Sequence, residues 1–236
     1  VATGTGLFEL TGGTLTLPGT LGTPTFNQSG GTLAGTNTLA SGVTYNWSGG
    51  NWNSSGATTI ASGATLNLST TNSHNFDARA IVNDGTINWS GGSFIASQGA
   101  TLVNNATFND SSTGTMGSTG TGGATMTFTN AATGNYTKSA TGTKDTNAQF
   151  NNSGAVSVTA GVLQFNTGGT NSATGTLTAA TGATIRFTNS YTLADASKLI
   201  AIGTGLFELT GGTLTLPGTL GTPTFNQSGG TLAGTN

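Results

Sequence analysis

The chain has 236 residues, of which 40 are Gly and none is Cys; charged residues make up 5% and the formal net charge is -2. These values exclude disulfide and thiolate chemistry, Cys-ligated zinc and, with no Gly-X-Y period, a collagen helix. The five cations, Arg79, Lys138, Lys144, Arg186 and Lys198, are too dispersed to grip a phosphate backbone, so no nucleic-acid partner is expected.

Low apolar content raises the question of disorder, but chains that stay unfolded by self-repulsion carry a high net charge, which this one lacks. Helix is disfavoured because Glu, Lys, Arg and Gln are scarce while Thr, Asn and Gly abound. An all-β chain rich in turns remains. No apolar run approaches the length of a membrane span, and secretion signals are expected outside this stretch.

The first element in chain order is also the last. Residues Gly4 to Asn37, GTGLFELTGGTLTLPGTLGTPTFNQSGGTLAGTN, recur unchanged as Gly203 to Asn236, an offset of 199. The preceding residues, Val1-Ala2-Thr3 and Ile200-Ala201-Ile202, are also alike. Residues 1–199 therefore read as one tandem unit and 200–236 as the start of the next, within a single continuous domain.

A finer period runs through the unit. An apolar residue, usually followed by Asn and then by Ser or Thr and Gly, recurs at Phe8, Phe26, Tyr45, Leu66, Ile87, Phe108, Phe128, Phe150, Phe165, Phe187, Phe207 and Phe225. The steps are near 20 residues apart from a short one between Phe150 and Phe165, which gives about ten coils per unit. Inside each coil, short β-prone pieces alternate with Gly, Ser or Asn, as in Tyr45-Asn46-Trp47, Trp52 and Thr58-Thr59-Ile60. Strands so short cannot make a sheet of their own, but they can stack on their equivalents one coil away, about 4.8 Å along an axis. The predicted fold is an all-β parallel β-helix, or β-solenoid.

Alternation along each strand places those twelve apolar residues in one inward core column. The polar partners Asn27, Asn46, Asn67, Asn88, Asn109, Asn151, Asn166 and Asn226 then form an amide ladder that fixes register, or alternatively a polar binding strip. The Gly-Gly pairs lack the helix and the Lys of a nucleotide loop and read as corner residues with positive φ.

Chemistry-bearing residues are few. The acidic residues are Glu9, its copy Glu208, Asp77, Asp84, Asp110, Asp145 and Asp195, and only Asp77 and Asp84 lie near His74 and Arg79 in sequence. That concentration reads as a solvated loop on an enlarged coil rather than as an acid–base site, so no catalytic, cofactor or metal residue is assigned. Trp47 and Trp89 fall at inward positions; Trp52 is open to either a core or a sugar-stacking role. Asn-x-Ser/Thr sequons occur about as often as so Asn- and Thr-rich a chain produces by accident.

The runs Asn27-Gln28-Ser29-Gly30-Gly31-Thr32-Leu33, Asn46-Trp47-Ser48-Gly49-Gly50 and Val82-Asn83-Asp84-Gly85-Thr86-Ile87-Asn88-Trp89-Ser90-Gly91-Gly92 resemble the repeats of large bacterial surface proteins, the filamentous-haemagglutinin and autotransporter-adhesin stalks. The resemblance covers nearly the whole chain and implies a right-handed parallel β-helix at the cell surface, without implying any catalytic residue. The functional expectation is a structural repeat of an extracellular fibre or adhesin stalk, and not an enzyme. Its expected partners are further copies of the same repeat, joined covalently rather than by head-to-tail assembly, with surface glycans as an external candidate. Two alternatives stand behind it: a ligand- or ice-binding module built on outward Thr, as at Thr14-Leu15-Thr16 or Thr125-Met126-Thr127, and an enzyme acting on polysaccharide. Thr pairs of this kind are expected to scatter among the coils.

Overall fold

The computed structural model describes residues 5–118, 122–220 and 224–234. Val1 to Gly4, Gly221 to Pro223 and Thr235-Asn236, which include the tips of both duplicated copies, lie outside the described residues. The chain winds as a parallel β-solenoid of about 11 turns of roughly 21 residues. Among the described residues the single helical element is one 3-10 turn at Ala196–Lys198.

Each turn lays short strands on three faces, taken here in chain order. The first face stacks ten strands, from Leu7–Leu10 to Leu199–Ala201. The second carries Thr14–Thr16 on Thr32–Ala34 and then eight strands from His74–Asn75 to Phe225–Gln227, linked through bridges at Asn51. The third stacks eleven, from Gly19–Leu21 to Thr231–Ala233. Strands of two to five residues hold because each interior rung pairs with the coil on either side and sends alternate side chains inward. In Thr44–Trp47, Tyr45 and Trp47 are buried while Thr44 and Asn46 face out. Each large side chain buried in this way contributes roughly 1.5 to 3 kcal/mol.

Corners are set by glycine where two constraints coincide. Gly50 has φ +80°, and a Cβ there would strike the Gly31 carbonyl of the coil beneath. A side chain at that corner would both strain the backbone and prise two coils apart.

The twelve residues expected in one column occupy three faces. Phe8, Phe26, Tyr45, Leu66, Ile87 and Phe108 stack in register on the first face, where Tyr136, Val156, Leu177 and Leu199 continue the column. Phe128 and Phe150 pair on the third face. Phe165 and Phe187 pair on the second, with Phe207 and Phe225 in the neighbouring inward column of that face. The steps Phe108 to Phe128 and Phe150 to Phe165 each cover two faces rather than three. Apolar residues spaced about 20 apart mark a shared inward orientation, and a jump of two-thirds of a turn preserves that orientation while changing the face.

The two slips also set the geometry of the duplication. Leu7–Leu10 is a first-face strand, whereas its identical copy Leu206–Leu209 is a second-face strand; Thr14–Thr16 and its copy Thr213–Thr215 differ by the same one-face step. The ten first-face strands from Leu7 to Ala201 enclose nine turns, so the 199-residue offset equals nine turns and one face. Local pairing is nonetheless preserved. Phe8, Glu9 and Leu10 pair with Phe26, Asn27 and Gln28, and Phe207, Glu208 and Leu209 pair with Phe225, Asn226 and Gln227. Leu15 on Leu33 likewise repeats as Leu214 on Leu232.

Candidate functional site

No pocket opens among the described residues, and no group of three His, Cys, Asp or Glu among them could hold a metal ion. No helix among the described residues is long and apolar enough to cross a membrane. What remains to carry chemistry is four side-chain assemblies, two outside and two inside the coil.

The outward assembly of the first face is the expected amide ladder, five rungs long. Asn46, Asn67, Asn88 and Asn109 each donate Nδ2 to the Oδ1 of the Asn one coil earlier, at 2.9, 2.9, 3.0 and 2.9 Å. It stops where Thr137 follows Asn109 in register. Of the other three expected members, Asn151 lies outward on the third face and accepts from Thr170 Oγ1 at 3.0 Å. Asn166 follows a second-face strand and bonds Asn147 and Asp145, and Asn226 pairs with Glu208. They are off the ladder because the slips in face carry them elsewhere.

Beside the ladder runs a column of Thr. Thr25, Thr44, Thr65, Thr86 and Thr107 are in mutual register, two residues before each Asn and on the same outward side. Single outward Thr residues are thus aligned on this face, while the Thr-x-Thr pairs lie apart, Thr14–Thr16 on the second face and Thr127 on the third. The signal lies in the recurring Thr-apolar-Asn triplet, Thr25-Phe26-Asn27 to Thr107-Phe108-Asn109.

The second outward assembly links Asp145, Gln164, Arg186 and Glu208 across four coils of the second face. Gln164 Nε2 donates to Asp145 Oδ1 at 3.0 Å, Arg186 donates to Gln164 Oε1 at 2.9 Å, and Arg186 Nε meets Glu208 Oε2 at 2.7 Å. Sequence separations of 19 to 22 residues hid it, since no two of these residues are near neighbours in the chain.

Inside, a second amide ladder runs along the corner between the third and first faces. Asn83, Asn104, Asn130 and Asn152 donate Nδ2 to the Oδ1 of Asn104, Asn130, Asn152 and Asn171 respectively, at 2.7 to 2.8 Å, and all five are buried. Backbone carbonyls take further donor capacity, Thr107 from Asn83 and Thr176 from Asn152. Asn151 and Asn152 show how one residue decides the environment: adjacent in sequence, one faces out and the other sits in this buried column.

The sequence concentration at His74 to Asp84 does not form a loop. His74 and Arg79 point into the core and are buried, while Asp77 accepts from the backbone and hydroxyl of Ser97 at 2.6 and 2.7 Å. Asp84 is bonded by Asn105 at 2.7 Å. Arg79 donates to Thr58 Oγ1 and the Gly35 carbonyl, and burial lowers its pKa to about 10. Both ring nitrogens of His74 lack a hydrogen-bond partner, and burial lowers its pKa to about 4. The expectation of a solvated, enlarged coil fails here because alternation turns His74 and Arg79 inward, while Asp77 is half-buried and Asp84 stays exposed. The coil that is enlarged lies later, where Thr107 is followed in register by Asn135. All three Trp residues are fully buried: Trp47 stacks on Trp52 at 4.3 Å, and Trp52 Nε1 and the Tyr45 hydroxyl share Gln28 Oε1 at 2.7 Å.

The last assembly is ionic and enclosed. Asp110 and Lys144 pair at 3.1 Å with neither side chain exposed. Tyr136 donates to Asp110 Oδ2 at 2.5 Å, and Lys144 Nζ sits 3.3 Å from the centre of the Trp89 ring. Burial raises the Asp110 carboxyl, against the pull of Lys144, and lowers the Lys144 amine to about 8. Lys138 turns in beside them and donates to the carbonyls of Ala140, Gly142 and Ala160.

No family model matches the chain, and no match is found among the curated proteins or the solved structures.

Proposed function

We propose that the chain is a structural repeat segment of an extracellular bacterial fibre or adhesin stalk, whose 199-residue units join end to end into one long solenoid. The carrying observation is the second copy of the duplicated stretch. It keeps the pairings of the first copy while also resting on the coil that precedes it, Phe207 on Ile185 and Glu208 on Arg186. Phe8 is 38% exposed and Phe207 is 0% exposed. In an array every Glu9 would meet the Arg186 of the unit before it, so Arg186 and Glu208 represent the junction between units.

Nine turns and one face correspond to about 45 Å of axial rise per unit. Surface features consequently wind around the fibre and return to the same face after three units. The outward Asn ladder and the Thr column beside it, both uncharged, suit a rod that must stay extended without a ligand. Two measurements test the reading. Dissociated native polypeptide should run far above the 23.1 kDa of this chain, and protease added to intact cells should cleave it. A native chain of one unit, or one protected inside the cell, overturns it.

A second reading draws on the Thr column. Five Thr rungs beside five Asn rungs make a flat, regular, uncharged strip with spacings of about 4.8 Å along the axis and about 6.7 Å across the strand. Such a strip would order water as an ice-binding face does. Thermal hysteresis that disappears in Thr65→Lys would support this role; its absence removes it.

A further inference from the structure

We propose that Asp110 and Lys144 condense to an intramolecular isopeptide bond that clamps the first face to the second across the enlarged coil. The inference does not depend on the fibre reading, because it concerns the interior of a single unit.

The geometry brings an amine and a carboxyl together where water is excluded. Asp110 closes the first-face strand Thr107–Asp110, Lys144 lies in the second-face strand Thr143–Asn147, and both side chains point inward. Lys144 Nζ is 3.1 Å from Asp110 Oδ1, with Trp89 over the amine and the Gly114 carbonyl 2.6 Å away. Ser112 N donates to Asp110 Oδ1 at 3.1 Å, and the Tyr136 hydroxyl holds Oδ2 at 2.5 Å. Two reactants fixed at contact distance do not pay the entropy of meeting. A dry interior also disfavours the charged pair and withholds the water that would drive hydrolysis.

The step balances without any co-reactant. A proton passes from the Lys144 ammonium to Asp110 Oδ1, giving a neutral amine and a neutral acid. The Nζ lone pair attacks Cγ, and the negative charge that gathers on Oδ2 meets the Tyr136 hydroxyl already hydrogen-bonded to it. The Cγ–Oδ1 bond then breaks, and Oδ1 leaves as water with a second proton from Nζ. One N–C bond forms, one C–O bond breaks, and the two buried charges disappear together. Burial of both groups favours the neutral pair from which attack begins.

Lys138 has the same charge and a comparable position but is committed to three backbone carbonyls, so Lys144 is the reacting amine. Of the five Lys and Arg side chains, two others are likewise paired or bonded elsewhere, Arg79 within the core and Arg186 to Glu208. The product would bridge the longest excursion between successive first-face strands, from Asp110 at the end of the strand before it to Lys144 in the second-face strand that follows Asn135–Lys138.

The intact mass of the folded chain tests the proposal directly. The expected result is a mass one water below the sequence value, together with a branched tryptic peptide joining Asp110 to Lys144 and no cleavage after Lys144. Lys144→Met and Asp110→Ala should each show the full sequence mass. Tyr136→Phe should show the same bond formed more slowly, with a mixture of the two masses early after synthesis; a purely packing role for Tyr136 would leave that time course unchanged. A folded wild-type chain that keeps its full mass on prolonged incubation overturns the proposal even if no variant folds. So does a missing water that maps to any other pair of residues.

Discussion

Phe8 and Phe207 hold the same place in two identical stretches of sequence, yet Phe8 lies on the first face of the solenoid and Phe207 on the second. Each stacks on its own downstream Phe, Phe26 or Phe225, through the same register. Pairing between neighbouring coils is therefore encoded locally, while the face a strand occupies is the running total of corners before it. Three faces able to accept the same strand explain how a repeat can advance by a fraction of a turn.

The same comparison yields the first prediction. Phe207→Ala removes a fully buried ring and should cost about 3 kcal/mol, whereas Phe8→Ala, chemically identical, should cost under about 1 kcal/mol. Urea denaturation of the two variants measures the difference. Equal losses would mean that Phe8 is as enclosed as its copy.

The two amide ladders should respond unequally to interruption. Asn67→Leu breaks the outer ladder, where Asn46 and Asn88 keep access to water, and should cost about 1 kcal/mol. Asn104→Leu strands buried donor and acceptor groups on Asn83 and Asn130 and should cost about 2 to 3 kcal/mol. The melting temperatures of the two variants rank them, and a smaller loss at Asn104 would contradict the assignment of the inner ladder.

Two glycines separate backbone strain from stacking. Gly42 and Gly50 have nearly the same φ, +82° and +80°, but a Cβ on Gly42 meets nothing within 4 Å while one on Gly50 strikes the coil beneath. Gly42→Ala should cost about 1 to 2 kcal/mol, the penalty of a left-handed residue. Gly50→Ala should cost clearly more in the same thermal unfolding assay. Equal costs would show that neighbouring coils part easily at that corner.

Acid sensitivity should trace to His74. Its ring is buried against Trp47 without a hydrogen-bond partner, so the folded state resists the proton down to about pH 4, while the unfolded chain accepts it near pH 6.5. The unfolded state binds more protons in that window. Stability is accordingly full above about pH 6.5, falls as the pH drops toward 4, and by then is lower by on the order of 2 kcal/mol. His74→Phe should flatten this dependence between pH 7 and pH 4.5 in urea titrations. An unchanged dependence would place the acid-sensitive group elsewhere.

The parallel solenoid was legible in the sequence because the repeated apolar-Asn pairs, Phe26-Asn27 to Phe108-Asn109, report orientation and coil spacing at once. Face identity was not legible in the same way. It depends on how many residues each corner consumes, and the 28 residues between Thr107 and its register partner Asn135 cannot be told from a coil plus part of another by periodicity alone. The inner Asn ladder escaped notice because Asn83, Asn104, Asn130, Asn152 and Asn171 end their strands at uneven intervals, each beside another polar residue. Asp110 and Lys144 are far apart in sequence and meet only through the enlarged coil. Charged residues are scarce, and yet Arg79, Asp110, Lys138 and Lys144 are all buried, which the sequence pattern did not mark.

In the proposed fibre, 199-residue units continue one another with an advance of nine turns and one face. Helical reconstruction by electron cryo-microscopy of a chain carrying several units measures that advance directly. The expected result is a rise of about 45 Å and a rotation of one-third of a turn per unit. A rotation of zero, with each Phe207 equivalent on the face of Phe8, or units that form separate bodies with no shared axis, would contradict it.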